Sequence, residues 1–196
     1  SWSAPDATGA NRHRPFALAW HNGKLWVGSV DDNGSNAYVH SLDPAGTTFT
    51  LELTVPLNYT RQNWLGSLVT ALPATWHGWS SNPTTLPYAT NGTEIGYPQP
   101  MLTDLEFTHD GMSLGFRDRM GDQGGGNKYF RPGASTRTWV DAAGDILRAC
   151  QLPTGYTLET GLTGACANPT AAEGGNNSGP ANYEYYFWDI WGESIP

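Results

Sequence analysis

The sequence predicts an all-β fold made of four-stranded antiparallel sheets, the units that form the blades of a β-propeller. Short apolar segments alternate with polar residues and are separated by turn residues, whereas no window longer than a turn or two shows helical periodicity. The composition agrees, with 24 Gly, 14 Pro and nine Trp. At 196 residues the chain is long enough for one domain with a substantial core.

The first blade is predicted over residues 15–55. Asn22-Gly23 is the strongest short-range signal for a hairpin, and the stretch Asp43 to Gly46 carries typical turn residues. Four consecutive strands joined by short turns form a meander. Alternation on the fourth strand places Phe49, Leu51 and Leu53 on one face. The four strands are expected at 16–20, 25–30, 37–42 and 47–55.

A second blade is predicted over residues 101–160, because the opening of the first blade recurs there. Leu18-x-Trp20 followed by Gly28 matches Leu105-x-Phe107 followed by Gly115, at a constant offset of 87 residues. Such a repeat indicates one architecture used twice. Its four strands are expected at 101–107, 112–116, 144–149 and 156–160.

The remaining segments are less regular. We interpret 56–100 as an insertion that packs on a blade face, with a degenerate blade as the alternative. Residues 161–196 are predicted to form a loop and an aromatic strand at 183–191. Closed propellers need about four to eight blades, so an incomplete propeller is expected. Further polypeptide, from the same protein or from a partner chain, would complete it.

The segment 97–126 is the strongest candidate for a site. Alternation places Leu102, Asp104 and Glu106 on one face of a strand, opposite Leu105 and Phe107. A charged loop with Asp118 and Asp122 follows, just before three glycines. Because Ca²⁺ prefers several oxygen ligands on pliable backbone, these four acids predict a calcium site.

Two alternatives remain open for the same acids. Asp104 and Glu106 could each pair with Arg117 or Arg119 or lie in solvent, or the two could act as the acid/base pair of a metal-dependent hydrolase or lactonase. For Asp118 and Asp122 the alternative is a solvated charged turn. No nucleophile elbow, phosphate-binding loop or dinucleotide motif is present. The sequence therefore predicts no catalytic residues, and a non-enzymatic protein is favoured.

Tryptophans in the insertion suggest a second kind of site. Trp64, Trp76 and Trp79 could form an aromatic platform for a sugar ring. The alternative is that these residues fill the interface between the insertion and the blade beneath it.

Several features favour an extracellular protein. Cys150 and Cys166 are predicted to form a disulfide, which would stabilise the fold by about 3 kcal/mol; two free thiols are the alternative. The formal net charge of −8 argues against a nucleic-acid partner, and no apolar run is long enough to span a membrane. Glycosylation sequons occur at Asn33, Asn58, Asn91 and Asn176.

The motifs RPFALAWHNGKLWVG, PQPMLTDLEF and GFRDRMGDQ together resemble the N-terminal propeller-like regions of large secreted bacterial cell-surface proteins. Those proteins often carry SdrD B-like repeats, and the resemblance spans most of residues 14–191. It implies a location and an architecture more than a reaction. The predicted function is therefore a structural or interaction module for protein–protein assembly or adhesion, with a carbohydrate-binding module or a metal-dependent hydrolase as alternatives.

Overall fold

The computed structural model describes residues 13–59, 63–64, 72–73, 75–80, 89–90, 94–124, 137, 139–140, 142 and 144–158. Within these residues the chain is all-β apart from one helix of six residues. In chain order the elements are β1 (His13–His21), β2 (Lys24–Asp31), β3 (Asn36–Leu42), β4 (Thr50–Pro56), β5 (Asn63–Trp64), β6 (Leu72–Pro73), β7 (Ala89–Thr90), β8 (Glu94–Gly96), β9 (Pro100–Thr108), β10 (Gly111–Asp118), α1 (Arg119–Gly124), β11 (Trp139–Val140), β12 (Asp145–Leu152) and β13 (Gly155–Leu158).

Two four-stranded antiparallel sheets dominate the fold. Sheet 1 has the order β1-β2-β3-β4, and sheet 2 has the order β13-β12-β10-β9, so each is a meander as predicted. The short strands form a three-stranded sheet, β11-β8-β7, and the pair β5-β6. No helix in the described residues has the length and apolarity needed to cross a bilayer.

The predicted hairpin between β1 and β2 is confirmed. His21 pairs with Lys24, which leaves Asn22 and Gly23 as a two-residue loop. Both loop residues have positive φ, 49° and 74°. That combination defines the type I′ turn, whose twist matches the twist of the flanking strands.

The internal repeat is also confirmed, down to the pairing of individual residues. Leu18 pairs with Val27 on sheet 1, and Leu105 pairs with Leu114 on sheet 2, each residue 87 positions after its counterpart. Both hairpins also contain a bulge at the same place, with Phe16 and Thr103 as the extra residues. The two hairpins are therefore one structural unit used twice.

The bulges correct two predictions about strand faces. Because Thr103 is an extra residue, Leu102 lies on the same side as Leu105 and not beside Asp104. A third bulge, at Glu52 of β4, places Leu51 and Leu53 on opposite faces. Leu53 is accordingly 7% exposed and Leu51 is 52% exposed. Phe49 precedes β4 instead of lying within it.

The repeat gives each sheet a front face and a back face. On sheet 1 the front face carries Leu18, Trp20 and Val27, and on sheet 2 the front face carries Leu105, Phe107 and Leu114. The back faces carry the residues between them: Ala17, Ala19, Trp26 and Gly28 on sheet 1, and Asp104, Glu106, Ser113 and Gly115 on sheet 2.

The two sheets stack with the front face of sheet 2 on the back face of sheet 1. Leu102 fits against Gly28, where a Cβ atom would lie 2.7 Å from the leucine Cδ2 and therefore cannot be accommodated. The Phe107 ring stacks on His21 at 4.0 Å and meets Trp26 edge-on at 4.9 Å. Small residues on the back of sheet 1 thus let the sheets approach closely around one core.

The core is a single cluster of buried side chains from both sheets and the segment between them. Each sheet contributes the side chains of its facing surface, and residues 57–76 add two aromatic rings and a leucine. The largest contributors include Trp26, Val39, Val55, Leu57, Tyr59, Trp76, Leu102, Leu105, Met112, Leu114, Phe116 and Leu147. Two stacked sheets do not close a ring, so the described residues show propeller-like sheets and not a propeller.

Candidate functional site

The most unusual surface of the described residues is an apolar row on the edge strand β1. Phe16, Leu18 and Trp20 are 47%, 68% and 65% exposed. Leu51 lies across the same front face, since Leu18, Val27, His40 and Leu51 are successive cross-strand partners. Large exposed apolar patches on a folded domain mark interaction sites.

Beside the apolar row, a polar cluster is buried on β2 and β3. The His13 ring stacks on Tyr38 at 4.5 Å, and its Nε2 lies 3.4 Å from the Asp31 carboxylate. Tyr38 donates a hydrogen bond of 3.0 Å to that same carboxylate. Burial, followed by the interaction with Asp31, raises the pKa of Tyr38. The carboxylate is thus a structural acceptor.

His40 completes this cluster without any hydrogen bond. It is 1% exposed, and within the described part of the chain neither ring nitrogen has a partner. Burial, followed by repulsion from His13, lowers the pKa of His40. Burial also lowers the pKa of His77, whose ring stacks on Tyr97 at 4.1 Å. The fold therefore disfavours the charged form of both imidazoles.

We expect the free energy of unfolding to fall as the pH drops through about 6.5, the pKa of a free histidine. Below that pH the unfolded chain binds protons that folded His40 and His77 do not bind. One such proton changes the unfolding free energy by about 1.4 kcal/mol per pH unit. Urea unfolding between about pH 8 and pH 5 measures the slope.

His40→Leu is the matched variant for this experiment. It removes one lowered pKa and two buried unpartnered nitrogens, so its pH slope should be shallower than that of the parent chain. Identical slopes for the two proteins, or stability that rises toward acid, would contradict the assignment.

A second cluster lies at the end of the apolar row and consists of two arginines and the ring of Trp79. The guanidinium of Arg119 lies 4.8 Å from the centre of the Trp79 ring, and that of Arg14 lies 5.6 Å from it. Arg14 pairs with Asp32 at 3.1 Å, whereas Arg119 donates to the neutral side chain of Gln99 at 2.6 Å. Burial, followed by repulsion from Arg14, lowers the pKa of Arg119. Both guanidinium groups therefore make cation–π contacts with the same ring.

The predicted calcium ligands are not brought together. Asp104 and Glu106 are exposed on β9, while Asp118 is buried and accepts the backbone N–H groups of Gln99 and Met120, each at 2.9 Å. Asp122 pairs with Arg117 at 2.7 Å. Among the described residues no group of three or more His, Cys, Asp or Glu could hold a metal ion. These residues give the predicted cation site no support.

Of the alternatives for Asp104 and Glu106, the pairing with Arg117 or Arg119 is not seen among the described residues, whereas the exposure of both side chains agrees with the alternative that they lie in solvent. Arg117 pairs with Asp122, and Arg119 contacts Trp79, Gln99 and Ser80. The segment beginning at Arg119, predicted as a charged loop, starts as α1.

The described residues give the predicted sugar platform no support. Trp76 is 5% exposed and lies in the core, where its Nε1 donates to the Tyr59 hydroxyl at 3.2 Å. Trp79 is half-buried, donates to the carbonyl of Pro100 at 2.8 Å, and has Arg14 and Arg119 against its ring. The side chain of Trp64 lies outside the described residues. The packing alternative therefore describes Trp76, and the platform as a whole gains no support.

The predicted covalent features fall partly outside the described residues. Cys150 is 1% exposed on β12, and no described cysteine is free. Cys166 is not among the described residues, so the disulfide stays a prediction. Asn33 and Asn58 are exposed, as a glycosylation site requires, whereas Asn91 and Asn176 lie outside the described residues.

Sequence reasoning named Trp79 as a candidate sugar-binding residue but did not predict that Arg14 and Arg119 lie against its ring. Arg14, Trp79 and Arg119 are far apart in the chain, and nothing in the local pattern joins them. His40 lies on a predicted strand, and only its burial reveals its role. The one available signal for the apolar row was the repeat, which pairs Leu18 and Trp20 with Leu105 and Phe107.

Comparison with known proteins finds two similar curated proteins, both from Dictyostelium discoideum. Colossin-A is 32% identical over 184 residues, which cover 88% of this chain and 1% of Colossin-A. Colossin-B is 26% identical over 204 residues, which cover 91% of this chain and 5% of Colossin-B. The chain thus spans only a small fraction of the curated relatives that it matches.

The other comparisons are negative. No family description matches the chain, and no solved structure matches it significantly. Both similar proteins come from a eukaryote, so the expected resemblance to bacterial cell-surface proteins with SdrD B-like repeats is wrong. The similarity that the comparisons support, over most of this chain, is to the two colossins.

Proposed function

We propose that this chain is an extracellular, non-catalytic structural module that makes protein–protein contacts through the apolar row of β1. The observation that carries the proposal is the exposure of Leu18 and Trp20, at 68% and 65%, on a sheet whose other face is core. Exposing two large apolar side chains side by side is unfavourable unless a partner covers them.

The stacking of the sheets supports a propeller-like arrangement as part of this proposal. Repeats of this kind bury their apolar faces by stacking on neighbours, each sheet contacting the next. No described sheet lies on the front face of sheet 1, where Val27 and His40 are buried but the apolar row on the edge strand is exposed. A further sheet on it would extend the arrangement seen within the chain.

The two curated relatives support a modular role. Each aligns with nearly the whole of this chain but only over a small part of its own length. That is the relation expected for a module carried within a long polypeptide. The predicted disulfide between Cys150 and Cys166 and the four glycosylation sequons support the extracellular part of the proposal.

Binding of an environment-sensitive apolar dye tests the proposed contact surface. The isolated chain should bind the dye, and Leu18→Lys with Trp20→Lys should lower the fluorescence severalfold. The melting temperature should stay within a few degrees, because neither side chain is in the core. Thr47→Lys with Thr48→Lys adds the same charge on an exposed loop and serves as the control.

The proposal fails if the parent chain binds little dye, or if the lysines on β1 leave binding unchanged. Either result would show that the apolar row is not an accessible contact surface.

A further inference from the structure

We infer that Arg119 binds a carboxylate group, and that an aspartate or glutamate side chain of the partner protein supplies it at the end of the apolar row. The inference rests on the proposed function, because it names a chemical group that the partner of the apolar row must carry. Its basis is a guanidinium group that is held in place by neutral oxygens and has no carboxylate partner within the described residues.

The hydrogen bonds of Arg119 use only one of its three nitrogen atoms. Nη1 donates to the side-chain oxygen of Gln99 at 2.6 Å and to the carbonyl oxygen of Ser80 at 3.3 Å. The Nε and Nη2 atoms have no hydrogen-bond partner within the described part of the chain. This edge of a guanidinium group carries two parallel N–H donors, which match the two oxygens of a carboxylate. Arg119 is therefore fixed in place with a carboxylate-binding edge unused.

Arg14, the second cation on the Trp79 ring, does not offer the same edge. Its Nη2 is paired with Asp32 at 3.1 Å, and its Nε is buried without a hydrogen-bond partner. Among the described residues no nitrogen of Arg119 is buried in that way, and the side chain as a whole is half-buried. An incoming group can thus reach the free edge of Arg119 and not the corresponding edge of Arg14.

The acids that are close to Arg119 in the sequence are already engaged. Asp118 is 1% exposed and accepts two backbone N–H groups, each at 2.9 Å. Asp122 accepts a hydrogen bond of 2.7 Å from Arg117. Neither carboxylate therefore serves Arg119, and the anion that would complete its hydrogen bonding must come from elsewhere.

The cluster around the Trp79 ring has one uncompensated positive charge within the described residues. Two guanidinium groups lie against the ring, and a single carboxylate, Asp32, pairs with one of them. Burial and repulsion from Arg14 both disfavour the charged form of Arg119, and a negative charge beside it would offset both effects. One carboxylate neutralises the remaining charge, whereas a dianion such as sulfate would exceed it and be repelled by Asp32.

The position of the cluster favours a protein as the source of the carboxylate. The ring of Phe16, the first residue of the apolar row, lies 5.5 Å from the Trp79 ring, so a partner that covers the row passes beside Arg119. Protein interfaces commonly have charged groups at the rim of an apolar contact, where they set its orientation. An acidic sugar is less suited, because the Trp79 ring on which it would stack already carries both guanidinium groups.

Nuclear magnetic resonance of the isotope-labelled chain tests the inference with a side-chain mimic, N-acetylglutamate α-amide. At constant ionic strength, maintained with sodium chloride, the mimic should shift the Nε–H signal of Arg119 along a saturable curve. The indole N–H signal of Trp79 should follow the same curve. The Nε–H signal of Arg117 should shift severalfold less, because this arginine is already paired with Asp122. Each signal is assigned by its loss when that residue is substituted.

Three variants isolate the free edge of the guanidinium group. Arg119→Lys keeps the charge but lacks the two parallel donors, so binding followed at the Trp79 indole signal should weaken severalfold. Arg119→Gln also removes the charge and should abolish the saturable shift. Arg117→Gln is the matched control and should bind the mimic as the parent chain does. The comparison of the two arginines within the parent chain needs no substitution, so it decides the question even if a variant fails to fold.

Sulfate and glucuronate are the competing probes. Tighter binding of sulfate than of the mimic would show a site for a dianion, and glucuronate that binds severalfold more tightly would indicate an acidic glycan as the partner. Either result overturns the inference, and so does a shift at Arg119 no larger than that at Arg117.

Failure of this inference and failure of the proposed function can be told apart. If the mimic does not bind but the apolar dye still binds through Leu18 and Trp20, only the inference is overturned. If the dye does not bind, the proposed function fails, and the inferred protein partner fails with it even where the mimic binds.

Discussion

Leu105→Ala is expected to lower the free energy of unfolding by about 3 kcal/mol, the usual cost of a truncated buried leucine. Leu105 is 3% exposed and belongs to the core cluster. The same substitution at its repeat counterpart, Leu18, should change stability by less than about 0.5 kcal/mol, because surface changes are usually that small. Chemical denaturation of the two variants and the parent measures both values.

This pair is a sharp test because the two positions are alike in every local respect. Each leucine lies on the first strand of its hairpin, two residues after the bulge residue, and each has an aliphatic cross-strand partner. Only the presence of a covering sheet differs. Equal losses at both positions would mean that Leu18 is covered in solution and that the front face of sheet 1 is closed.

Gly28→Ala is expected to destabilise the protein by about 2 kcal/mol, within the range for overpacked cores. The added methyl group would lie 2.7 Å from Leu102 Cδ2 and 2.9 Å from Ala17 Cβ, so the sheets must move apart. Gly115→Ala at the equivalent position meets only the Asp104 Cβ atom, at 3.2 Å. Its cost should be under about 1 kcal/mol, since a shift of the edge strand β9 by a few tenths of an ångström relieves the contact.

A double variant separates the steric cause from a backbone effect. Adding Leu102→Ala to Gly28→Ala removes the closest clashing atoms and leaves the contact with Ala17 Cβ, so the combined loss should be smaller than the sum of the two single losses. Thermal melts of the four proteins provide the comparison. Additive losses would show that the close contact between Leu102 and Gly28 does not determine the spacing of the sheets.

Local sequence patterns were sufficient to predict most of the strands and the hairpin turns. Asn22-Gly23 identified a turn because its positive φ angles are a local property of those two residues. The repeat was visible because both hairpins keep the same residues at the same offset. These features depend on neighbours in the chain, which a single sequence displays.

Bulges and long-range packing could not be predicted in the same way. One extra residue at Thr103 reverses the alternation, and a period-two pattern does not reveal it. The sequence therefore misplaced Leu102 relative to Asp104. The roles of Trp76 and Trp79 depend on which distant groups meet their rings, so a core tryptophan was taken for part of a sugar platform.

The acids on the back of sheet 2 have a consequence for stoichiometry. Asp104 and Glu106 are exposed on β9, at the one place where the repeat would otherwise allow growth from that side. A sheet placed over this face would strip two carboxylates of water, which is unfavourable. If other sheets stack on this protein as its own two sheets stack on each other, each copy is therefore expected to accept a neighbouring sheet on the front of sheet 1 and not on the back of sheet 2.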